Sequence, residues 1–280
     1  MKRILTIQDI ACFGKCSITI VMPVLSAMGV ECVPLPTAVF STHTMFPDYR
    51  KIDLSDHMLS FARQWKEENI HFDAIYTGYL GSAREIDLAI EVIDLLKKED
   101  TLIFSDPAMG DHGKLYRGIE EECVTRCREL CGRADLIVPN LTEACLLTGS
   151  EYTENPGEEE LKQLCERLCG LGAGTAVITG ASLSEGKTGV YGMRGKDGST
   201  FYYQNEKISA SYHGTGDLFA AAAVGAIVKG MSLEDSFKTA SDYTAKTILA
   251  TMKRGGDPRY GVAFEETLPE LGKMIRSAEH

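Results

Sequence analysis

The sequence predicts an α/β fold, with a mostly parallel sheet covered by helices on both faces and one antiparallel edge. Three observations predict it. Short apolar or β-branched runs alternate with longer amphipathic stretches through most of the 280 residues, the pattern of repeated βα units. The strand-like runs are nearly continuous in apolar residues, as expected of strands buried on both faces. The region 187–205 departs from this pattern. There two strand-like runs flank Arg194-Gly195-Lys196-Asp197-Gly198, whose Asp-Gly step suits a hairpin turn.

Strands are expected over 2–9, 30–38, 73–78, 101–106, 134–138, 174–179, 187–193 and 199–205. Helices are expected over 17–28, 54–69, 83–98, 119–132, 142–148, 158–171, 216–229, 232–252 and 264–275. Ser82-Ala83-Arg84-Glu85 has the spacing of a capping box at a helix start. Asn155-Pro156-Gly157 breaks the chain before the acidic turn Glu158-Glu159-Glu160, which suits a helix N-terminus. No break in composition divides the chain, so residues 1–280 are read as one domain.

The net charge is −11. Such a surface repels phosphate backbones, which argues against nucleic acid as a partner. Any phosphate ligand must be attracted locally, by backbone N–H groups, a few cations or Mg²⁺. No apolar run approaches the roughly 20 residues of a membrane span. The opening Met1–Ile10 reads as a first strand and not as a signal peptide, so a cytoplasmic protein is expected. Nine cysteines then imply free thiols. Cys123, Cys127 and Cys131 recur every four residues, as do Cys165 and Cys169. With no Cys-x-x-Cys pair, they read as a small apolar stripe packed on the sheet, not as metal ligands. Cys12 and Cys16 lie near the first loop, where a reactive thiol is the alternative.

The sharpest segment is Gly214-Thr215-Gly216-Asp217, followed by the alanine-rich run Ala220–Ala223. The glycines allow a tight turn, and the apolar run reads as a buried helix. Together they aim N–H groups and a positive dipole end at one point, which is an anion site. A carboxylate beside such a site suits a base that takes a proton from an attacking hydroxyl. The plain alternative is a sharp turn whose Asp217 stabilises a helix start. Neighbouring motifs favour chemistry. Asp106-Pro107-Ala108-Met109-Gly110-Asp111 and Pro139-Asn140-Leu141-Thr142-Glu143 follow successive predicted strands. So do Thr77-Gly78-Tyr79 and Phe40-Ser41-Thr42-His43-Thr44. In an open α/β sheet the carboxyl ends of strands form the ligand crevice. Asp106, Asn140 and Glu143 would therefore gather near Asp217, where their oxygens suit Mg²⁺. Singly, Asp106 and Glu143 read equally well as capping residues. There is no Walker phosphate loop and no Gly-x-Gly-x-x-Gly after the first strand.

These segments, in this order, resemble the pyridoxal kinase family of the ribokinase-like superfamily. The resemblance implies a three-layer α/β/α sandwich and a homodimer. It implies phosphorylation of the 5′-hydroxymethyl group of a B6 vitamer (pyridoxal, pyridoxine or pyridoxamine) by ATP, with Mg²⁺ and usually K⁺. By match to the family's motifs, Asp217 is the base, and Gly214, Thr215 and Gly216 form the anion hole. The same three residues, with Asp106, Asn140 and Thr179, fall on the ATP side, and Asp106 and Glu143 fall on the metal. Phe40, His43, Thr44 and Tyr79 fall on the pyridine pocket. Asp9 stands where family members usually carry serine. A carboxylate there would favour a cationic ligand, which points to pyridoxamine, unless Asp9 is paired with a cation such as Lys15. The alternatives are a hydroxymethylpyrimidine or sugar kinase on the same scaffold, and a non-catalytic vitamer-binding protein.

Overall fold

A computed structural model describes residues 1–278 of the chain, with side chains described through Ile275. In chain order the strands are β1 (Arg3–Ala11), β2 (Glu31–Phe40), β3 (Lys51–Asp53), β4 (Ala74–Thr77), β5 (Leu102–Ser105), β6 (Gly110–Asp111), β7 (Lys114–Leu115), β8 (Leu136–Ile137), β9 (Thr175–Ala181), β10 (Lys187–Arg194) and β11 (Thr200–Glu206). The helices are α1 (Ile18–Ala27), α2 (Ser55–Glu67), α3 (Ala83–Leu96), α4 (Glu121–Cys131), α5 (Leu141–Thr148), α6 (Glu158–Gly170), α7 (Thr215–Val228), α8 (Leu233–Arg254) and α9 (Leu268–Ala278).

Nine strands form one sheet in the order β11-β10-β9-β8-β5-β4-β1-β2-β3. The inner pairs from β2 to β9 are parallel. The β9–β10 and β10–β11 pairs are antiparallel, as the Asp197-Gly198 turn implied. A second antiparallel edge, β3 on β2, was not expected. Nor was the small β6–β7 hairpin. Strand β8 is shorter than expected, and the segment expected to be helical from 264 opens with a 3-10 turn, Phe264–Glu266, before α9 begins.

Alternation along each strand divides the core in two. Leu5 and Ile7 of β1, Ile75 of β4 and Ile103 of β5 face a cluster covered by α2 to α6. Ile4, Tyr76 and Phe104 face the opposite cluster, covered by α1, α7, α8 and α9. The molecule is thus the expected three-layer sandwich. Cys123, Cys127, Cys131 and Cys165 are buried in the first cluster, as an apolar stripe would be. The parallel strands end on one side of the sheet, and the loops that leave them there build the site.

Candidate active site

Helix α7 begins at Gly214, whose φ of 81° lies in the left-handed region. A Cβ at Gly214 would run into the Lys15 carbonyl oxygen and the Ile20 side chain, so only glycine fits. Gly216, two residues on, is exposed, and a Cβ there would meet nothing within 4 Å. No side chain caps this helix; the Thr215 hydroxyl donates instead to the Tyr212 carbonyl at 3.1 Å. The first N–H groups of α7 are therefore left for a ligand, with the open face of Gly216 beside them.

Asp217, in the first turn of α7, is half-buried. Desolvation pushes its carboxyl up to about 6, and the Ser17 backbone N–H pulls the other way. The Ser17 side chain holds a second acid: its hydroxyl donates to Asp9 Oδ1 at 2.6 Å. Asp9 sits at the irregularity of β1, where the register to β2 shifts between Gln8 and Ile10. Ser17 is drawn back onto β1 by a bridge to Ile10, and it carries a φ of 51°, a costly conformation for a non-glycine residue. Asp9 is only 4% exposed. Burial pushes its carboxyl up to about 7, the Ser17 hydroxyl opposes this, and the Asp217 charge adds to it. Lys15 does not neutralise Asp9: its Nζ pairs with Glu265 at 2.8 Å and donates to the Val262 carbonyl. Cys16 is buried, and burial raises its thiol well above the ordinary range, which disfavours a reactive thiolate.

The expected pyridine-side residues lie on the loops after β2 and β4. Phe40 ends β2, buried, edge-on to Tyr49 with ring centroids 5.5 Å apart and Lys51 Nζ 5.6 Å from its centroid. Tyr79 is half-buried, and burial, Asp9 and Glu85 all raise its phenol. Thr44 lies half-buried in the turn after β2. His43 is buried with both ring nitrogens engaged: Nε2 donates to the Arg259 carbonyl at 2.7 Å, and Nδ1 accepts from the Met45 N–H at 3.3 Å. Its ring stacks on His213 at 3.8 Å, beside Gly214. His43 thus ties the β2 loop to the α7 start through its ring and not through a free nitrogen.

The sequence reading did not pick out Glu85 as a site residue. Ser82 caps α3 by accepting from the Glu85 N–H, as expected. The Glu85 carboxylate, however, reaches past Ser82 to the Gly81 N–H at 2.9 Å and pairs with Lys51 at 2.9 Å. Ser17 was also missed. It opens the expected helix 17–28 with nothing in the sequence to single it out, and its side chain makes no cap hydrogen bond.

On the other side of Asp217 lie Asp106 and Glu143. Burial raises both carboxyls. Neighbouring charges raise them further, Glu143 and then Asp217 in the case of Asp106, and Asp111 in the case of Glu143. Glu143 forms a capping box with Asn140. Its oxygens accept from the N–H groups of Asn140 at 2.8 Å, Met109 at 3.0 Å and Gly110 at 3.5 Å. Asn140 Nδ2 donates to the Gly110 carbonyl at 2.8 Å. Asp106, by contrast, is buried after β5, and among the described residues no donor reaches its carboxylate. Thr179 lies within β9 and not after it, bridged to Asn140 through its N–H to the Pro139 carbonyl at 2.9 Å.

A profile described as phosphomethylpyrimidine kinase matches residues 21–260. The chain is 29% identical to a pyridoxal kinase of Arabidopsis thaliana, over 99% of this chain and 90% of that one. It is 30% identical to a pyridoxal kinase of Sus scrofa, over 79% and 73%. Among solved structures, a phosphomethylpyrimidine kinase-like protein of Bacteroides thetaiotaomicron, crystallised with pyridoxal, is 36% identical with a TM-score of 0.92, covering 96% of this chain and 95% of that one. Pyridoxal kinase of Lactobacillus plantarum is 29% identical with a TM-score of 0.90, each chain covered fully. The chain belongs to the phosphomethylpyrimidine kinase family, on its pyridoxal kinase branch within the ribokinase-like superfamily.

Proposed function

We propose that this chain phosphorylates the 5′-hydroxymethyl group of a B6 vitamer with ATP, using Asp217 as the base. The observation that carries this reading is a half-buried carboxyl, raised to about 6, in the first turn of an uncapped, glycine-started helix. A carboxyl at that value is mostly ionised at neutral pH, yet more basic than an ordinary aspartate. In this reading the hydroxymethyl oxygen attacks the terminal phosphorus, its proton passes to the Asp217 carboxylate, and ADP leaves. The N–H groups of the Gly214–Gly216 turn stabilise the charge on the moving phosphoryl group. The relatives named pyridoxal kinase, and the pyridoxal-bound structure, support the substrate class.

The residues present fit Mg²⁺ on the nucleotide side. Asp106 is a buried carboxylate without a donor among the described residues, beside Glu143 and Asp217, and a cation would relieve that crowding. Both Glu143 oxygens face backbone N–H groups, so Glu143 would act by holding the Met109–Gly110 turn or through a metal-bound water. Bound there, Mg²⁺ would neutralise phosphate charge. The expectations of K⁺ and a homodimer rest on the family resemblance, and that of a cytoplasmic location on the sequence pattern of the opening segment.

The test is ATP consumption by purified protein with Mg²⁺ and K⁺, offering pyridoxal, pyridoxine, pyridoxamine and hydroxymethylpyrimidine separately, with Asp217→Ala as control. Turnover of a vitamer that falls by at least about 10²-fold in the variant is the expected result. Turnover of the pyrimidine alone would move the substrate class and keep the chemistry. Tight vitamer binding without turnover would make the chain a binding protein.

A further inference from the structure

The site holds a second carboxyl that the phosphoryl transfer does not use. Asp9 is buried, and the Ser17 hydroxyl is its sole hydrogen-bond donor from a side chain among the described residues. Burying an ionised carboxylate without a cation is costly. The two lysines of the neighbouring segments are both committed elsewhere, Lys15 to Glu265 and Lys51 to Glu85. The charged groups that act on Asp9 are themselves acids, Asp217 and Glu85. Among the described residues, the protein thus keeps an acid in an acidic pocket and provides no counter-ion for it.

We infer that the missing cation belongs to the substrate, and that Asp9 selects the vitamer whose 4′ substituent is an ammonium group. This inference rests on the reading of the site as a vitamer kinase. Its geometric basis is the adjacency of Asp9 and Asp217. One residue, Ser17, holds both: its hydroxyl is bonded to Asp9 and its backbone N–H faces Asp217. On the pyridine ring the 4′ substituent is the immediate neighbour of the 5′-hydroxymethyl group. A ring that presents its 5′ hydroxyl to Asp217 therefore presents its 4′ substituent to the next group along the pocket wall. In pyridoxamine that substituent is an aminomethyl group, protonated near neutral pH. In pyridoxine it is a neutral hydroxymethyl group, and in pyridoxal a neutral aldehyde. The backbone supports the same arrangement. The irregularity of β1 at Asp9 and the left-handed Ser17 bring the two acids together at a conformational cost, and such strain persists where the surroundings over-determine it.

The experiment is kcat/KM for pyridoxamine, pyridoxine and pyridoxal, measured in the native protein, in Asp9→Asn and in Asp9→Ser. Asn keeps an acceptor for the Ser17 hydroxyl and removes the charge. The native protein should prefer pyridoxamine over pyridoxine. That ratio should fall by at least about tenfold in both variants, the scale expected on removing one partner of a desolvated charge pair. A ratio that is unchanged in Asp9→Asn overturns the inference. Equilibrium binding to the native protein gives a measurement that needs no variant. Pyridoxamine should bind at least about tenfold tighter than pyridoxine, and equal or weaker binding also overturns the inference. No turnover of any vitamer by the native protein would instead overturn the kinase reading. Turnover of all three with a constant ratio would leave that reading standing and remove only the role of Asp9.

Discussion

Asp217 and Asp9 set the pH behaviour of the site, because burial raises both carboxyls into the range where the protein works. A base acts in its deprotonated form, so kcat/KM should fall as pH drops through the Asp217 value of about 6. Asp9 titrates at about 7 beside it, so the acid limb of the native profile should be broader than a single titration. In Asp9→Asn it should sharpen to one group; a native profile already fitted by one group would remove the coupling. The same residue makes a stability prediction. The folded-state value of Asp9 is raised above its unfolded value, so the folded protein binds the extra proton. The Asp9 contribution to stability is therefore present below the unfolded value of 3.8 and lost as pH rises to about 7. Asp9→Asn should then be more stable than the native protein at pH 8, by roughly 1–4 kcal/mol. At pH 4 the two should melt alike. At this scale the sequence was only partly legible. Asp9 stood out as an acid where relatives carry serine, and Asp217 stood out by its glycines. Ser17 did not, because a left-handed serine leaves no mark on residue type. Glu85 looked like a capping residue, and only the fold sends its carboxylate to Lys51.

At the level of elements, the start of α7 carries a paired prediction. Gly214 and Gly216 look alike in the sequence but differ in space. A Cβ at Gly214 meets backbone, and its φ is positive. Gly214→Ala should destabilise the protein by roughly 1–3 kcal/mol and abolish turnover, because a backbone carbonyl cannot move aside cheaply. A Cβ at Gly216 projects into open space. Gly216→Ala should melt within a degree or two of the native protein, yet its KM for ATP should rise by about tenfold or more, because the methyl group intrudes where phosphate approaches. Thermal melts beside ATP titrations check both; equal effects at the two positions would contradict the assigned turn. The longer elements were legible because their periodicity extends over many residues. The strands β3, β6 and β7 were not, since two or three residues carry no period. The segment 111–118 shows no period in the sequence, yet part of it is a hairpin that the Thr142 hydroxyl holds through the Gly113 N–H at 2.9 Å.

On the scale of the whole molecule, the site draws on the inner strands of the sheet from β2 across to β9. Asp9 comes from β1, Phe40 from β2, Asp106 from the end of β5, Asn140 from the α5 start and Thr179 from β9. The chain between them forms helices on both faces of the sheet, α1 on one and α2 to α6 on the other, so no sub-structure contains a complete site. We therefore propose that the chain unfolds as one cooperative domain and that activity reports on the entire sheet. The single tryptophan makes this testable. Trp65 lies on α2, against the core cluster on the face opposite α7, with its ring 5.9 Å from that of Phe72. Its fluorescence follows one face of the sheet, whereas turnover requires the α7 start on the other. In a guanidinium titration the Trp65 emission, the far-UV ellipticity and the residual kinase activity should share one midpoint. Adding a vitamer should move all three upward together, since it binds only the assembled site. Loss of activity at a lower midpoint than the Trp65 transition would mean that the two faces come apart separately and that the chain holds two folding units.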